Sequence, residues 1–240
     1  MTYDVDVAAI AAQIGHPARA AMLDQLLGTP VCTAGQLAQA AAVSRSAASQ
    51  HLGILVQGGL VTVTAVGRHR WYRLASAEVA DVLEALARIA PAQRPTSLRH
   101  VTKGEALRAA RTCYDHLAGR LGVALADTLV QRGLVTIQPH DGAWTLSAQG
   151  MTWFQAIGCE IPSSARMRRP LIRPCLDWSE QRPHLAGTLG RAVLDQLLAS
   201  EWVMRIPGQR AVRINPDKSV HPAWDPILAE VFTVYGDRHG

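Results

Sequence analysis

Two cysteine–histidine pairs in the second half of the chain, Cys113 with His116 and Cys175 with His184, have the residue types for soft-metal chemistry. The run 107–117 reads as a helix, and a spacing of three on a helix sets both side chains of the first pair on one face. The stretch Arg111-Thr112-Cys113-Tyr114-Asp115-His116-Leu117-Ala118-Gly119 resembles, at its end, His184-Leu185-Ala186-Gly187. If the two segments met, two thiolates and two imidazoles would suit tetrahedral zinc or another soft ion. The same residues could line a pocket for an organic ligand, or a Cys113 activated by His116 or Arg111 could answer an electrophile. The plainest alternative makes both cysteines core filler and pairs both histidines with backbone groups. The separation of about 60 residues between the pairs weighs toward it.

Other candidates carry less. Cys32 stands alone and cannot hold a soft metal by itself. Asp177, Glu180 and His184 could serve acid–base work, which keeps an enzyme open as the alternative function, with the N-terminal part used for targeting or assembly. No nucleophile elbow, phosphate loop, dinucleotide fingerprint or His-Glu-x-x-His supports that alternative. Arg166, Arg168, Arg169 and Arg173 form the densest basic run, suited to an arm on DNA or to a solvated connector. Trp144, Trp153, Trp178 and Trp202 fall on apolar faces, where core packing is the default role.

At 240 residues the chain is long enough for two compact units. The N-terminal Met-Thr-Tyr-Asp-Val-Asp is acidic where a signal peptide would be basic, and no apolar run approaches the ~18 residues of a membrane span. No membrane association is expected. Four scattered cysteines do not make a disulfide framework, so a reducing cytoplasm is the expected compartment. A net charge of +5 makes an anionic partner plausible without naming it. Residues 1–103 carry 9 Lys/Arg against 6 Asp/Glu and residues 104–240 carry 15 against 13, so pattern has to decide.

The pattern over residues 5–73 is four helices and a hairpin. Val7, Ile10, Ala11 and Ile14 repeat at helical spacing; Pro17 opens a second helix with Ala20, Leu23, Leu26 and Leu27 on its apolar face. Thr33 can cap a third helix burying Leu37 and Ala41, and Ser44 a fourth that turns Leu52, Leu55 and Val56 inward before Gly58-Gly59. Val61, Val63 and Ala65 alternate with threonines, Gly67-Arg68-His69 turns, and Trp71, Tyr72 and Leu74 return. Helix, turn, helix and basic-tipped hairpin is the layout of a winged helix-turn-helix. Double-stranded DNA is then the expected partner. Arg45, Ser46, Ser49 and Gln50, opposite Leu52 and Leu55, offer groups that read base edges, and Arg68, His69 and Arg70 suit phosphate or minor-groove contact.

Ile14-Gly15-His16-Pro17-Ala18-Arg19, Gln36-Leu37-Ala38-Gln39, Ser44-Arg45-Ser46-Ala47-Ala48-Ser49-Gln50-His51-Leu52 and Gly59-Leu60-Val61 resemble the ArsR/SmtB family of dimeric winged-helix repressors over residues 5–90. The resemblance implies a homodimer built from helices at 5–13 and 77–89, the latter through Val79, Val82, Leu83 and Leu86, and adds Ser44 and His51 to the expected DNA-contacting set. Gln50 and Gly53 depart from it, standing where the family often has basic residues. The family's Cys-x-Cys metal pair is reduced here to Cys32, and 77–89 lacks the ligands of its alternative interface site.

Pro91-Ala92-Gln93-Arg94-Pro95-Thr96-Ser97 reads as linker, extended here to residues 91–103. Beyond it, a helix over 121–131 leads into Val130-Gln131-Arg132-Gly133-Leu134-Val135-Thr136, an echo of Val56-Gln57-Gly58-Gly59-Leu60-Val61-Thr62. A hairpin around His140-Asp141-Gly142, a helix through Trp153 and Phe154, and a third version from Leu194 to Ile214 follow. Pro222 and Pro226 make the last helical segment irregular. The expected fold is therefore mainly α with small β-hairpins (α+β): a winged helix-turn-helix over 1–90, then a winged-helix-like domain over 104–240. The second domain lacks the arginine tip, which fits a sensory or oligomerising role with a small molecule or metal as effector, and zinc or another soft ion as its possible cofactor.

Overall fold

The structure, a computed structural model, describes residues 5–91, 94, 97–161, 169–215 and 222–236. It divides into two compact units, one running to Ala87 and including Pro207–Arg210, the other formed by Arg88–Ile206 and the chain from Ala211.

The first unit opens with α1 (Val7–Ile14) and α2 (Pro17–Gly28), joined at Gly15-His16. Arg19 donates from Nε to the carbonyl of Gln13 (2.6 Å) and from Nη2 to that of Ala12 (2.8 Å), satisfying carbonyls that the end of α1 leaves open. On α2 the buried face is Ala18, Met22, Leu23, Leu26 and Leu27; Ala20, expected inside, is exposed, because Ala18 and Met22 complete the 3.6-residue stripe with the leucines. A short strand β1 (Cys32–Thr33) leads to α3 (Ala34–Ala40). Thr33 and Gln36 form a reciprocal capping box, in which each side chain accepts from the other's backbone amide. Leu37 and Ala38 are its buried pair, with Ala41 only partly covered. The turn places Ala42 at φ 53, and Ser44 caps α4 (Arg45–Gln57) by accepting from the amide of Ala47. The sheet has the order β1-β3-β2, with β2 (Val61–Val66) and β3 (His69–Leu74) antiparallel from Val61↔Leu74 to Val66↔His69. Helix α5 (Ala77–Ile89) closes the unit.

The second unit begins with a helix where the sequence suggested linker. Over 98–109, past the prolines, Glu105, Ala106, Leu107 and Arg108 are strong helix formers, and α6 (Leu98–Ala109) forms. The expected helix over 107–117 does not. In its place stands a hairpin, β4 (Arg111–Cys113) with β5 (His116–Ala118), turning through Tyr114 at φ 60. Then come α7 (Gly119–Gln131), β6 (Val135–Ile137), β7 (Trp144–Leu146) and α8 (Ala148–Ala156).

The same succession recurs: hairpin β8 (Arg173–Leu176) and β9 (Pro183–Ala186), helix α9 (Gly187–Ala199), hairpin β10 (Val203–Arg205) and β11 (Val212–Ile214). A 3-10 turn at Pro222–Trp224 leads into α10 (Asp225–Gly236), so the final segment is regular once Pro226 is taken into its first turn, where no amide is needed. The helix-plus-hairpin likeness to a winged helix is thus present twice. Each copy is preceded by a short hairpin rather than by a turn and a polar helix. The two copies exchange partners: α7 packs on β9 and α9 on β5. Leu121, Leu125, Leu129, Leu189, Val193, Leu197, Phe154, Trp202 and Trp224 share one buried core.

Among the described residues no helix is long and apolar enough to cross a membrane.

Candidate functional site

Helix α4 is two-sided for a local reason. Ala48, Leu52 and Leu55 recur at spacings of four and three and are buried, which leaves Arg45, Ser46, Ser49 and Gln50 on the exposed side. Ser44 spends its hydroxyl as the helix cap, and its Oγ also lies 3.0 Å from that of Ser46. His51 is placed differently from its neighbours. Its ring packs on His16 with centroids 4.4 Å apart, and burial, then the charges of His16 and Arg19, hold its pKa below the ordinary value. At the far end of the unit, Arg68, His69 and Arg70 are all exposed at the hairpin tip, where Gly67 adopts φ 56 to make a tight turn. An exposed polar helix face and an exposed basic loop on one small scaffold are the two surfaces a groove-reading protein needs.

In the second unit the four predicted residues converge. Cys113, His116, Cys175 and His184 each present one donor atom, and these atoms all lie within 4.8 Å of one another. The helical argument for the first pair is replaced by a sheet argument. Cys113 and His116 are cross-strand partners in β4–β5, as Cys175 and His184 are in β8–β9, and partners in a ladder point to the same face. Between hairpins, the sulfurs are 3.9 Å apart and the two Nε2 atoms 3.1 Å apart. Exposure of the four is 2%, 2%, 7% and 0%, so all four are shielded from bulk water. None of the four cysteines is joined in a disulfide.

The sequence reading named Asp177, Arg111 and Arg169 in other roles and did not place carboxylates behind the histidines. Nδ1 of His116 lies 3.3 Å from Oδ1 of Asp115, and Nδ1 of His184 lies 3.2 Å from Oδ2 of Asp177, a pairing distance without good hydrogen-bond alignment. Both carboxylates are themselves fixed. Arg111 donates to Asp177 at 2.7 Å, and the amides of Gly119 and Ser179 donate to it at 2.7 and 2.9 Å. Arg169, the described member of the basic run besides Arg173, donates to Asp115 at 2.5 Å and to the carbonyl of Gly187 at 3.1 Å; Arg166 and Arg168 lie outside the described residues. Burial alone would raise both acids. The facing histidine and arginine outweigh it, holding Asp115 down at about 2 and Asp177 further below the usual range. Hydrogen bonding from Cys113 and the two histidines likewise lowers the Cys175 thiol, against the opposing effect of burial. By contrast burial pushes Cys32 up to about 11 and Cys159 to about 12, which suits core cysteines.

A signal for these residues was present in the sequence. Arg111-x-Cys113-x-Asp115 and Arg173-x-Cys175-x-Asp177 match, and His116-Leu-Ala-Gly-x-Leu-Gly122 matches His184-Leu-Ala-Gly-x-Leu-Gly190. The extra residues of the second copy all fall between Cys175 and His184.

Comparison with known proteins agrees with the first unit and extends to most of the chain. A family model described as a helix-turn-helix domain matches residues 14–64, from the end of α1 into β2. The chain is 39% identical over 210 residues, 88% of its own length and 92% of the other's, to YdfF of Bacillus subtilis (strain 168), an uncharacterized HTH-type transcriptional regulator. Solved structures with similarity include the transcriptional repressor BigR from Xylella fastidiosa, at 30% identity over 36% of this chain and 88% of that one (TM-score 0.34). Another is the cadmium metal-sensor CMTR from Mycobacterium tuberculosis, at 33% identity over 38% and 94% (TM-score 0.32). The chain belongs to the helix-turn-helix transcriptional regulators.

Proposed function

We propose that the protein is a homodimeric, cytoplasmic repressor that binds a specific operator through α4 and the β2–β3 wing and takes its signal through the second unit. The observation that carries this reading is the exposed set Arg45, Ser46, Ser49 and Gln50, backed by buried Ala48, Leu52 and Leu55. Arginine and glutamine at the start of a recognition helix can each make two hydrogen bonds to one base, and the hydroxyls can serve either donor or acceptor. Arg68 and Arg70 would add sequence-independent phosphate contact.

The dimer is supported by apolar surface that the unit does not cover. Helix α1 has no buried residue, with Val7 exposed, while on α5 Val82 and Leu86 are exposed. Two such faces, paired about a two-fold axis, would set two recognition helices about 34 Å apart, one turn of DNA. An effector that favours another spacing lowers operator affinity by its preference for that state.

The enzyme alternative has less support, since Asp177 and His184 are buried and Asp177 is held by Arg111 and the amides of Gly119 and Ser179. The test is nuclease footprinting of the chain on its own upstream DNA, together with its mass in solution. A protected pseudo-palindrome, and a Val82→Glu, Leu86→Glu variant that is monomeric and no longer protects it, are expected. Protection by a protein that is monomeric at the same concentration contradicts the dimer.

A further inference from the structure

The four donors of the second unit carry a more specific inference, which rests on the reading of that unit as the sensing part. We propose that Cys113, Cys175 and the Nε2 atoms of His116 and His184 bind one divalent ion of the zinc class in a closed tetrahedral site between the two repeats.

The hydrogen-bond pattern suits a cation there. Asp177 accepts from Arg111, Gly119 and Ser179, and Asp115 from Arg169, so both act as carboxylate acceptors. The histidine nitrogens facing them, both Nδ1, are therefore the ones that carry hydrogen. That turns both Nε2 lone pairs toward one point, 3.1 Å from each other and beside two sulfurs. Two acceptors at that distance repel unless they share a proton or face a common cation, and the two sulfurs beside them supply the donors that a cation needs.

The size fits. Metal–sulfur bonds of about 2.3 Å and metal–nitrogen bonds of about 2.05 Å in a tetrahedron give a sulfur–sulfur edge of about 3.8 Å and a nitrogen–nitrogen edge of about 3.3 Å. The observed edges are 3.9 and 3.1 Å. The charge fits too. Two thiolates neutralise a divalent ion, and each carboxylate has its own arginine, so the buried group sums to zero. A monovalent ion would leave a net buried charge, and calcium or magnesium would want oxygen donors. Carboxylates behind metal-bound histidines are the usual means of fixing ring orientation. With four protein donors and little exposure the site has no open position, so its role is to hold rather than to catalyse. Binding would release the two thiol protons to solvent and tie hairpin β4–β5 to hairpin β8–β9.

The experiment uses the full chain, stripped with chelator under reductant, dialysed, and titrated with Co2+ and then Zn2+. About one ion per chain is expected, with the sulfur-to-cobalt charge-transfer band and strong visible bands of a tetrahedral dithiolate, bleached by Zn2+. Cys113→Ser and Cys175→Ser should lose the charge-transfer intensity, and Cys159→Ser, in the same unit but outside the cluster, should keep it. Because ligand variants can misfold, Asp115→Asn supplies a readable case: all four donors stay, and affinity should fall roughly 10- to 100-fold. A folded chain that takes up no ion, or a Cys113→Ser, Cys175→Ser double variant that binds as well as the parent, overturns the site. Stripped and loaded protein are then compared on the upstream DNA. Specific DNA binding without any metal uptake removes the site and leaves the regulator standing. Metal uptake without any change in DNA affinity supports the site and contradicts the sensing role of the second unit.

Discussion

Nε2 of His116 and Nε2 of His184 lie 3.1 Å apart although 68 positions separate them and each belongs to a different repeat. Their meeting is produced by exchange: α9 packs on β5 and α7 on β9, so each hairpin is seated on the other copy's helix. The first consequence is thermodynamic. If an ion joins the hairpins, it stabilises the folded second unit by mass action, roughly 2.7 kcal/mol at a hundredfold excess over its dissociation constant. Thermal unfolding of the full chain should show the transition of the second unit moving down on chelation. The transition of the winged helix should stay in place.

Glycines in two helices give opposite expectations. A Cβ on Gly190 would stand 2.5 Å from the carbonyl oxygen of Leu185 and 3.3 Å from Cβ of His116; its counterpart Gly122 faces Leu117 and His184 in the same way. Backbone cannot yield cheaply, so Gly190→Ala should destabilise the second unit by about 1–3 kcal/mol and push His116 off its position. Gly53 on α4 has nothing within 4 Å of an added Cβ. There Gly53→Ala should stabilise by up to about 1 kcal/mol, through helix propensity alone. Urea denaturation of both variants checks the pair.

The core cysteines set an alkaline limit. With Cys32 at about 11 and Cys159 at about 12, each against an ordinary 9.0, the unfolded chain gives up these protons first. Raised folded values mean full stability below pH 9 and a loss as pH climbs from there toward the folded values. Denaturation midpoints should therefore fall between pH 8 and pH 10, and Cys159→Ala should flatten that fall even though its packing costs stability at both pH values.

The two DNA surfaces should separate by mutation. Arg45→Ala should cost about 1–3 kcal/mol in preference for the right base at one position of each half-site, with little change on random DNA. Arg68→Ala with Arg70→Ala should weaken all sequences alike and lower the salt slope by roughly one unit per lost phosphate contact. Fluorescence anisotropy at several salt concentrations distinguishes these. An unchanged slope in the double variant places the wing away from the phosphates.

How much was legible in the sequence depended on how local the signal was. The capping box of Thr33 and Gln36, the Ser44 cap and the Gly58-Gly59 stop are decided within a few residues, and the elements they bound appear where expected. The hairpin β4–β5 was misread as helix because Arg111, Thr112 and Cys113 are all buried, so the strand shows no alternation of apolar and polar residues. Its neighbours Ala109, Ala110 and Leu107 favour helix, and only pairing with Leu117 and Ala118 decides otherwise. The convergence of the four ligands was suggested by their types. The repeated Arg-x-Cys-x-Asp marks Arg111, Asp115 and Asp177, but their pairing, and that of Asp115 with Arg169, was not suggested, because an ion pair across 54 or 66 positions leaves no trace in local spacing.

The most direct test of the regulator is a competition titration of the full chain on a duplex from its own upstream region, against a scrambled duplex of the same composition, at two salt concentrations. The account predicts at least about a thousandfold preference for the upstream duplex, steeply salt-dependent on both. Equal affinity for the two duplexes at both salt concentrations would contradict it.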